Sequence, residues 1–500
     1  MLPSYYTNEI LNAILLYPNG GVELYNALKS IHFMAYGNGD SVKYPQHKTL
    51  KITINPNSPG PIPLSLNTDF NYCKFEVTNT AAETTLFSLG EATNNSVSIE
   101  KSQLRKNEKV YGSNHELNVK PKLLIVEDNC PWTVRTGYSD PVKRRDIFFV
   151  VDNQIQNDPI ATYNNNYSLP TCNYVDVSTE QKTFKNIVFE RTSDSTYVTN
   201  LLSVREQYNV LIESVSILTP DQGEPASGVT PIHNDKCINI NDSAKIELRN
   251  ITIDYTYSSI NYYGYGIRLL NVWDCKISHL TAHNPRKGVM GNENLNGLKV
   301  EDSVLNRVDV HCYGRDIICA NCIFKNTSNN YHIYNRVSSF YGRLVFVDCL
   351  FDEFLPLRID SEYNAFTPFD LILDNCTLNV SSSHKSIVNT PILGPTNTTR
   401  PELAEKCLPN IIIKNLQLHF LRQTDTEFYF LRIYEYGYSG SIHYMNTFVV
   451  DVNEITQAAI NPVTIYDFCY TDQVHVNTPL NLVEPLRQNI NMIRHIVGNS

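Results

Sequence analysis

Residues able to do acid–base or anion-binding chemistry gather in one stretch of this chain: Asp309, His311, Tyr313, Tyr334, Arg336, Arg358, Asp360, Glu362 and Tyr363, with Asn292 a little upstream. Two carboxyls held roughly 6.5 to 9.5 Å apart suit an inverting glycosidase, one as acid and one as base. Asp360 and Glu362, two residues apart on an extended strand, would lie about 6 to 7 Å from each other. Asp309 and His311 add further acid–base capacity. Arg336, Arg358 and His311 would neutralise the carboxylate of a uronate-type sugar. Flat tyrosine faces cover sugar C–H surfaces, and planar polar groups bond hydroxyls. The catalytic candidates are therefore Asp309, His311, Asp360 and Glu362. The ligand-binding candidates are Asn292, Tyr313, Tyr334, Arg336, Arg358 and Tyr363. A plain ion-pair ladder that keeps strands in register uses the same residue types. Ligand binding without chemistry, catalysis and a purely structural role all stay open at this point.

These residues share a surface only if the chain repeats in register, and it does repeat. Nine segments of nine residues follow one pattern: KTFKNIVFE from Lys182, VLIESVSIL from Val210, IELRNITID from Ile246, CKISHLTAH from Cys275, LKVEDSVLN from Leu298, IICANCIFK from Ile317, LVFVDCLFD from Leu344, LILDNCTLN from Leu371 and IIIKNLQLH from Ile411. Alternate positions are apolar, the signature of a strand with one buried face. The fifth position reads Asn186, Ser214, Asn250, His279, Asp302, Asn321, Asp348, Asn375, Asn415. These are mostly residues that tolerate a tight bend. Spacings from 19 to 40 residues fit coils of fixed strand geometry joined by loops of variable length. Cys322, Cys349 and Cys376 follow the bend and are expected as a buried row of reduced thiols.

The strands that hold the candidate residues align as well: GIRLLNV, GVMGNEN, RVDVHCYGRD, HIYNRVSSFYGR and PLRIDSEYN. With Val308, Ile333 and Leu357 inward, one outward column holds Arg268, Met290, Asp309, Tyr334 and Arg358. The next holds Leu270, Asn292, His311, Arg336 and Asp360. Arg315 and Arg343, each closing a Tyr-Gly-Arg turn, are expected to pair with nearby acids, and His279 and the Asn-x-Ser/Thr triplets to be structural.

The fold class expected is all-β: a single-stranded right-handed parallel β-helix with short N-terminal helices and a small C-terminal cap. Residues 1–48 read as a helical cap, with helical spacing over Thr7 to Leu16 and Val22 to Ile31. Residues 49–450 read as the solenoid, with an irregular insertion around 95–170. Residues 451–500 read as a cap or attachment region ending in a helix from Glu484 to Val497. A solenoid needs such caps because each coil buries its faces only on its neighbours.

IICANCIFK, LVFVDCLFD and LILDNCTLN resemble coils of the pectin-lyase-like β-helix superfamily. That superfamily includes pectate lyases, polygalacturonases, uronate epimerases and bacteriophage tailspikes, so the resemblance implies a polysaccharide ligand. Asn67-Thr68-Asp69 is similar to a polygalacturonase motif, but its Gly-His-Gly and Arg-Ile-Lys partners are missing, and it reads as chance. The helical segment ahead of the strands is similar to that of virion tailspikes. The implied function is a polysaccharide-recognising tailspike or receptor-binding protein, with depolymerase activity open and a homotrimer expected. The alternatives are a secreted bacterial lyase, epimerase or glycosidase, and a structural spacer.

A formal charge of -10 argues against nucleic acid as partner, since phosphate binding needs clustered Lys and Arg. No apolar run reaches the roughly 20 residues of a membrane span. The first residues carry no basic leader pattern. That fits a virion tail protein or one released on lysis, or a secreted or envelope protein if a leader was removed. Cys319 and Cys322 form an isolated C-x-x-C within a strand pattern, and no metal or cofactor is expected.

Overall fold

The computed structural model describes residues 6–57, 60–65, 67–81, 84–90, 95–110, 120–134, 141–159, 169–177, 180–192, 195, 199–219, 236–255, 265–283, 287–325, 334–337, 340–359, 369–380, 386–390, 406–407, 409–421, 428–433, 443–445, 448–456, 463–468, 474–476, 481–482 and 494–495. The nine repeated segments stack as parallel strands. Lys182 lies beside Val210, Val210 beside Ile246, Ile246 beside Cys275 and Cys275 beside Leu298. The row continues through Ile317, Leu344, Leu371 and Ile411. The chain is a parallel β-helix, and its inward residues form one continuous apolar core from Ile10 to Phe420.

The bends explain why the repeat tolerates so little identity elsewhere. All nine fifth-position residues have positive φ, from 49° at Asp302 to 61° at Asn186. That left-handed conformation suits Asn and Asp and costs most other residues 1–2 kcal/mol. Side chains along the row bond each other: Asn321 Nδ2 donates to Asp302 Oδ1 at 2.6 Å and Asn375 Nδ2 to Asp348 Oδ1 at 2.5 Å. Cys322, Cys349 and Cys376 follow as buried free thiols. The Cys349 and Cys376 thiols donate to the carbonyls of Cys319 and Phe346 at 3.4 Å each. The C-x-x-C cysteines thus sit inside the core. Among the described residues no cluster of His, Cys, Asp or Glu is arranged to hold a metal.

A second ladder runs alongside. In the strand Lys236–Tyr255 the stretch 236–241 precedes bends at Asp242 and Lys245 and then the repeated segment. Stretch 236–241 lies beside 265–270, and that beside 287–292. The strands Val308–Val310, Tyr334–Val337, Leu355–Ile359 and Ser386–Thr390 extend the ladder.

The N-terminal cap holds α1 (Thr7–Leu16) and α2 (Gly21–Asn38). α2 is longer than the spacing indicated. It turns Leu24, Leu28, Ile31 and Ala35 into the core and stops at Gly39, whose φ of 68° ends it. Among the described residues no helix is long and apolar enough to cross a membrane.

The solenoid starts earlier than the repeat suggested. Val42 and Lys43 pair with Thr68 and Asp69, and Asn67–Asn79 pairs directly with Lys182–Arg191. Between these coils, where the sequence reads as irregular, the described residues include an antiparallel sheet. Its strands are Ser96–Val97, Lys122–Val134, Pro141–Val151, Gln154–Ile155 and Thr171–Asp176. One face encloses a small core around Leu124, Phe148 and Tyr174. The other packs on the solenoid, where Phe149 stacks on Tyr208 at 5.5 Å and meets Trp273 at 6.0 Å.

Coil pairing also runs past residue 450. Phe448–Thr456 and Val463–Phe468 extend the ladders. Arg494 and His495 pair with Asp467 and Phe468, so a strand occupies part of the stretch expected to be helical.

Candidate functional site

Register in the second ladder assembles the candidate residues differently from the expected columns. Asp309 lies beside Arg336, not beside Tyr334, and Arg336 lies beside Arg358. The observed register lies two residues from the expected columns, and a one-residue bulge between Tyr334 and Arg336 interrupts this coil. A bulge keeps one pairing and displaces the next, which alternation alone does not show. Asn335 takes the place given to Ile333. It is buried, its Oδ1 accepts the Val308 N–H at 2.8 Å, and its Nδ2 donates to the Pro356 carbonyl at 3.1 Å.

One row therefore runs along the ladder: Asn239, Arg268, Met290, Asp309, Arg336, Arg358, Asn389, Arg432, Asp467 and Arg494. It holds five arginines and two aspartates, read by position along those pairings, on a chain whose formal charge is -10.

At its centre is a buried carboxylate ringed by cations. Asp309 is fully buried between Val308 and Val310, both core residues. Its Oδ2 lies 2.7 Å from Arg307 Nη2 and 2.8 Å from Lys287 Nζ. Burial alone would raise the carboxyl's pKa, but Arg307 and Lys287 hold it well below the usual range. Asp309 is thus ionised at neutral pH.

Burial lowers the Lys287 ammonium to about 7, with Arg307 and Arg336 pushing the same way against Asp309. Burial also lowers His311 to about 4, so its imidazole is neutral at neutral pH. Lys287 Nζ is hydrogen-bonded to His311 Nε2. His311 Nε2 also lies 3.5 Å from Asp309 Oδ2. Lys287 Nζ also lies over the Tyr265 ring, 5.2 Å from its centroid.

Asp309, His311, Arg336 and Arg358 are thus brought together. Tyr313 is placed elsewhere: it is buried against Val142 and Tyr341, and its hydroxyl donates to the Lys143 carbonyl of the inserted sheet. Asn292 lies beside Leu270, and Tyr334 beside Leu355. Asp360, Glu362 and Tyr363 lie outside the described residues.

Lys287 and Arg307 belong to the cluster, yet sequence reasoning missed both. Arg307 has the outward parity of Asp309 and His311, so alternation could have found it. Lys287 opens its strand, one residue ahead of the aligned segment, where parity no longer guides. Arg315 and Arg343 share Asp316, at 3.4 and 3.9 Å, as turn arginines would.

No protein-family model matches this sequence, and none of the curated proteins does. Solved structures do match. The tailspike protein of Pseudomonas phage LKA1 superposes with a TM-score of 0.55 at 13% identity, over 94% of this chain and 77% of its own. A tailspike of Acinetobacter baumannii bacteriophage AP22, solved in complex with A. baumannii capsular saccharide, superposes at 0.53 and 9% identity, over 91% of this chain and 79% of its own. The chain shares the parallel β-helix fold of these two tailspikes. In such a β-helix, equivalent positions of successive coils stand about 4.8 Å apart.

Proposed function

We propose that this chain is a tailspike-type receptor-binding protein of a virion tail that recognises an acidic surface polysaccharide along the arginine row. The observation that carries the reading is the row itself: five arginines against two aspartates in one register on an acidic chain. Guanidinium groups bind carboxylates in a fixed fork. A repeating strip of them matches a repeating polyanion, and the saccharide-bound tailspike of like fold supports the same direction. Arg336, Arg358 and His311 are the contacts proposed first, with Asn292, Tyr334 and Tyr363 beside them. Asp309, enclosed and ionised, holds Lys287 and Arg307 in place. Tyr313 joins the insert to the solenoid.

The test is binding of the full chain to arrayed acidic and neutral bacterial polysaccharides. Arg358→Ala should weaken acidic-glycan binding by about tenfold or more, the worth of one charged hydrogen bond. Raised salt should weaken it further. Equal binding to neutral and acidic glycans would sink the reading. Light scattering checks the proposed homotrimer.

A depolymerase activity is the second reading, and Lys287 favours it: an amine lowered to about 7 exchanges protons at neutral pH. Asp360 and Glu362 would supply the acid and the base. New reducing ends or unsaturated-uronate absorbance, lost in Asp360→Asn and His311→Ala, would support it. Full activity in both variants would remove these residues from the chemistry.

A further inference from the structure

The first coils carry a second concave surface on the other ladder. Lys43, Asn67, Thr68, Asp69, Thr183 and Lys185 help line a pocket of about 440 Å³, within the range of small-ligand sites. It lies about five coils, or roughly 24 Å along the axis, from the coil of Asp309. One register row crosses it: Lys43 beside Asp69 beside Lys185.

Asp69 is held in a fixed orientation. Its Oδ1 accepts the Asn71 N–H and Asn186 Nδ2, each at 2.9 Å. Its Oδ2 faces Lys185 Nζ at 3.7 Å, beyond hydrogen-bond length, so that oxygen keeps acceptor capacity beside an exposed ammonium. Lys43 is exposed and has no ion pair among the described residues. The buried Thr68 hydroxyl, on the same pocket, has no hydrogen-bond partner among them.

The neighbouring bend is unlike the others in the repeat. Where the next coil spends Asn186 alone, this one spends Phe70, Asn71 and Tyr72. Phe70 turns into the core, while Asn71 and Tyr72 take positive φ of 50° and 61°. That conformation is unfavourable for a bulky aromatic residue. Tyr72 is 47% exposed, and its ring stacks on His47 at 5.7 Å and 21°. The extra residues thus lift an exposed, stacked Tyr72–His47 ring pair into solvent three residues from Asp69, within about 10 Å along the chain.

We propose that this corner is a separate glycan subsite for a carboxylate-bearing sugar residue. The Tyr72–His47 face covers the sugar's C–H surface, Lys43 and Lys185 take its carboxylate, and Asp69 Oδ2 accepts a hydroxyl proton. An ion-pair ladder accounts for the alternating charges of the row. It does not account for the pocket or for a strained, exposed aromatic bend beside it.

Hydroxyl-radical footprinting of the full chain by mass spectrometry tests this, with methyl β-D-glucuronoside and methyl β-D-glucoside at tens of millimolar as probes. With the glucuronoside near its dissociation constant, half the sites are filled, so oxidation of Tyr72 and His47 should fall by about half. The glucoside should protect much less, and the surface double variant Lys43→Ala, Lys185→Ala should lose the protection. Arg358→Ala should leave it intact, so failure of the arginine row and failure of this subsite are read separately. Unchanged Tyr72 oxidation with the glucuronoside overturns the subsite. Equal protection by both probes overturns the carboxylate assignment.

Discussion

Asp309 lies against both Lys287 and Arg307, and all three are buried. Breaking a buried pair by removing one partner typically costs 3–5 kcal/mol, because the remaining charge is left uncompensated. Asp309→Asn is expected to fall in that range, read as a lower denaturation midpoint at unchanged slope. Lys287→Met in the same chain should recover part of the loss. The pH dependence follows from His311. Its folded value is about 4 against 6.5 in the unfolded chain, so the unfolded state binds more protons between those values. Stability therefore rises with pH through that window and is lost as pH falls through it. The loss has an upper bound of roughly 3 kcal/mol. His311→Gln should flatten the acid limb of a stability–pH curve, and an unchanged limb would show that other groups set it. Alternation brought Asp309, His311, Arg336 and Arg358 to one face of the sequence. It could not show that Tyr313 bonds a carbonyl 170 residues away. That partner belongs to a segment with no repeat to align it.

Each of the nine repeated segments turns on a residue held at positive φ, and the row of bends gives a prediction for the element as a whole. Asp348→Gly keeps the conformation without strain and loses only the bond from Asn375. Asp348→Val forces a β-branched residue into it, adding 1–2 kcal/mol or more. Thermal melts should rank wild type, then Gly, then Val. Equal losses for Gly and Val would mean that backbone strain does not govern the bend. The repeated segments were fully legible because two constraints coincide at fixed spacing: an apolar alternation and a small polar residue at the bend. The first coils were harder to read, since a two-residue bulge at Asn71 and Tyr72 breaks the nine-residue frame. The inserted sheet was not legible, because it buries its faces on its own small core and on Tyr208 and Trp273. Arg494 and His495 were read as helical because apolar spacing in a short segment does not tell a helix from a strand.

At the scale of the molecule, the solenoid closes around its insertion. Asn67–Asn79 and Lys182–Arg191 are direct neighbours, and Gly90 and Lys182 line one pocket. Replacing residues 95–177 by a short Gly-Ser linker should therefore leave a cooperatively melting β-helix. The variant keeps Trp273 and loses Trp132, so its emission should shift to the red as the ring loses its cover. Collapse of the whole far-ultraviolet β signal would instead make the inserted sheet part of the folding unit. The same topology orders events during synthesis. The strand Asn67–Asn79 leaves the ribosome about 100 residues before Lys182–Arg191, the strand that will lie on it. At ~5–20 residues per second that is on the order of 5 to 20 seconds with an open edge. Nascent chains are exposed to mispairing with one another at that edge for the whole interval.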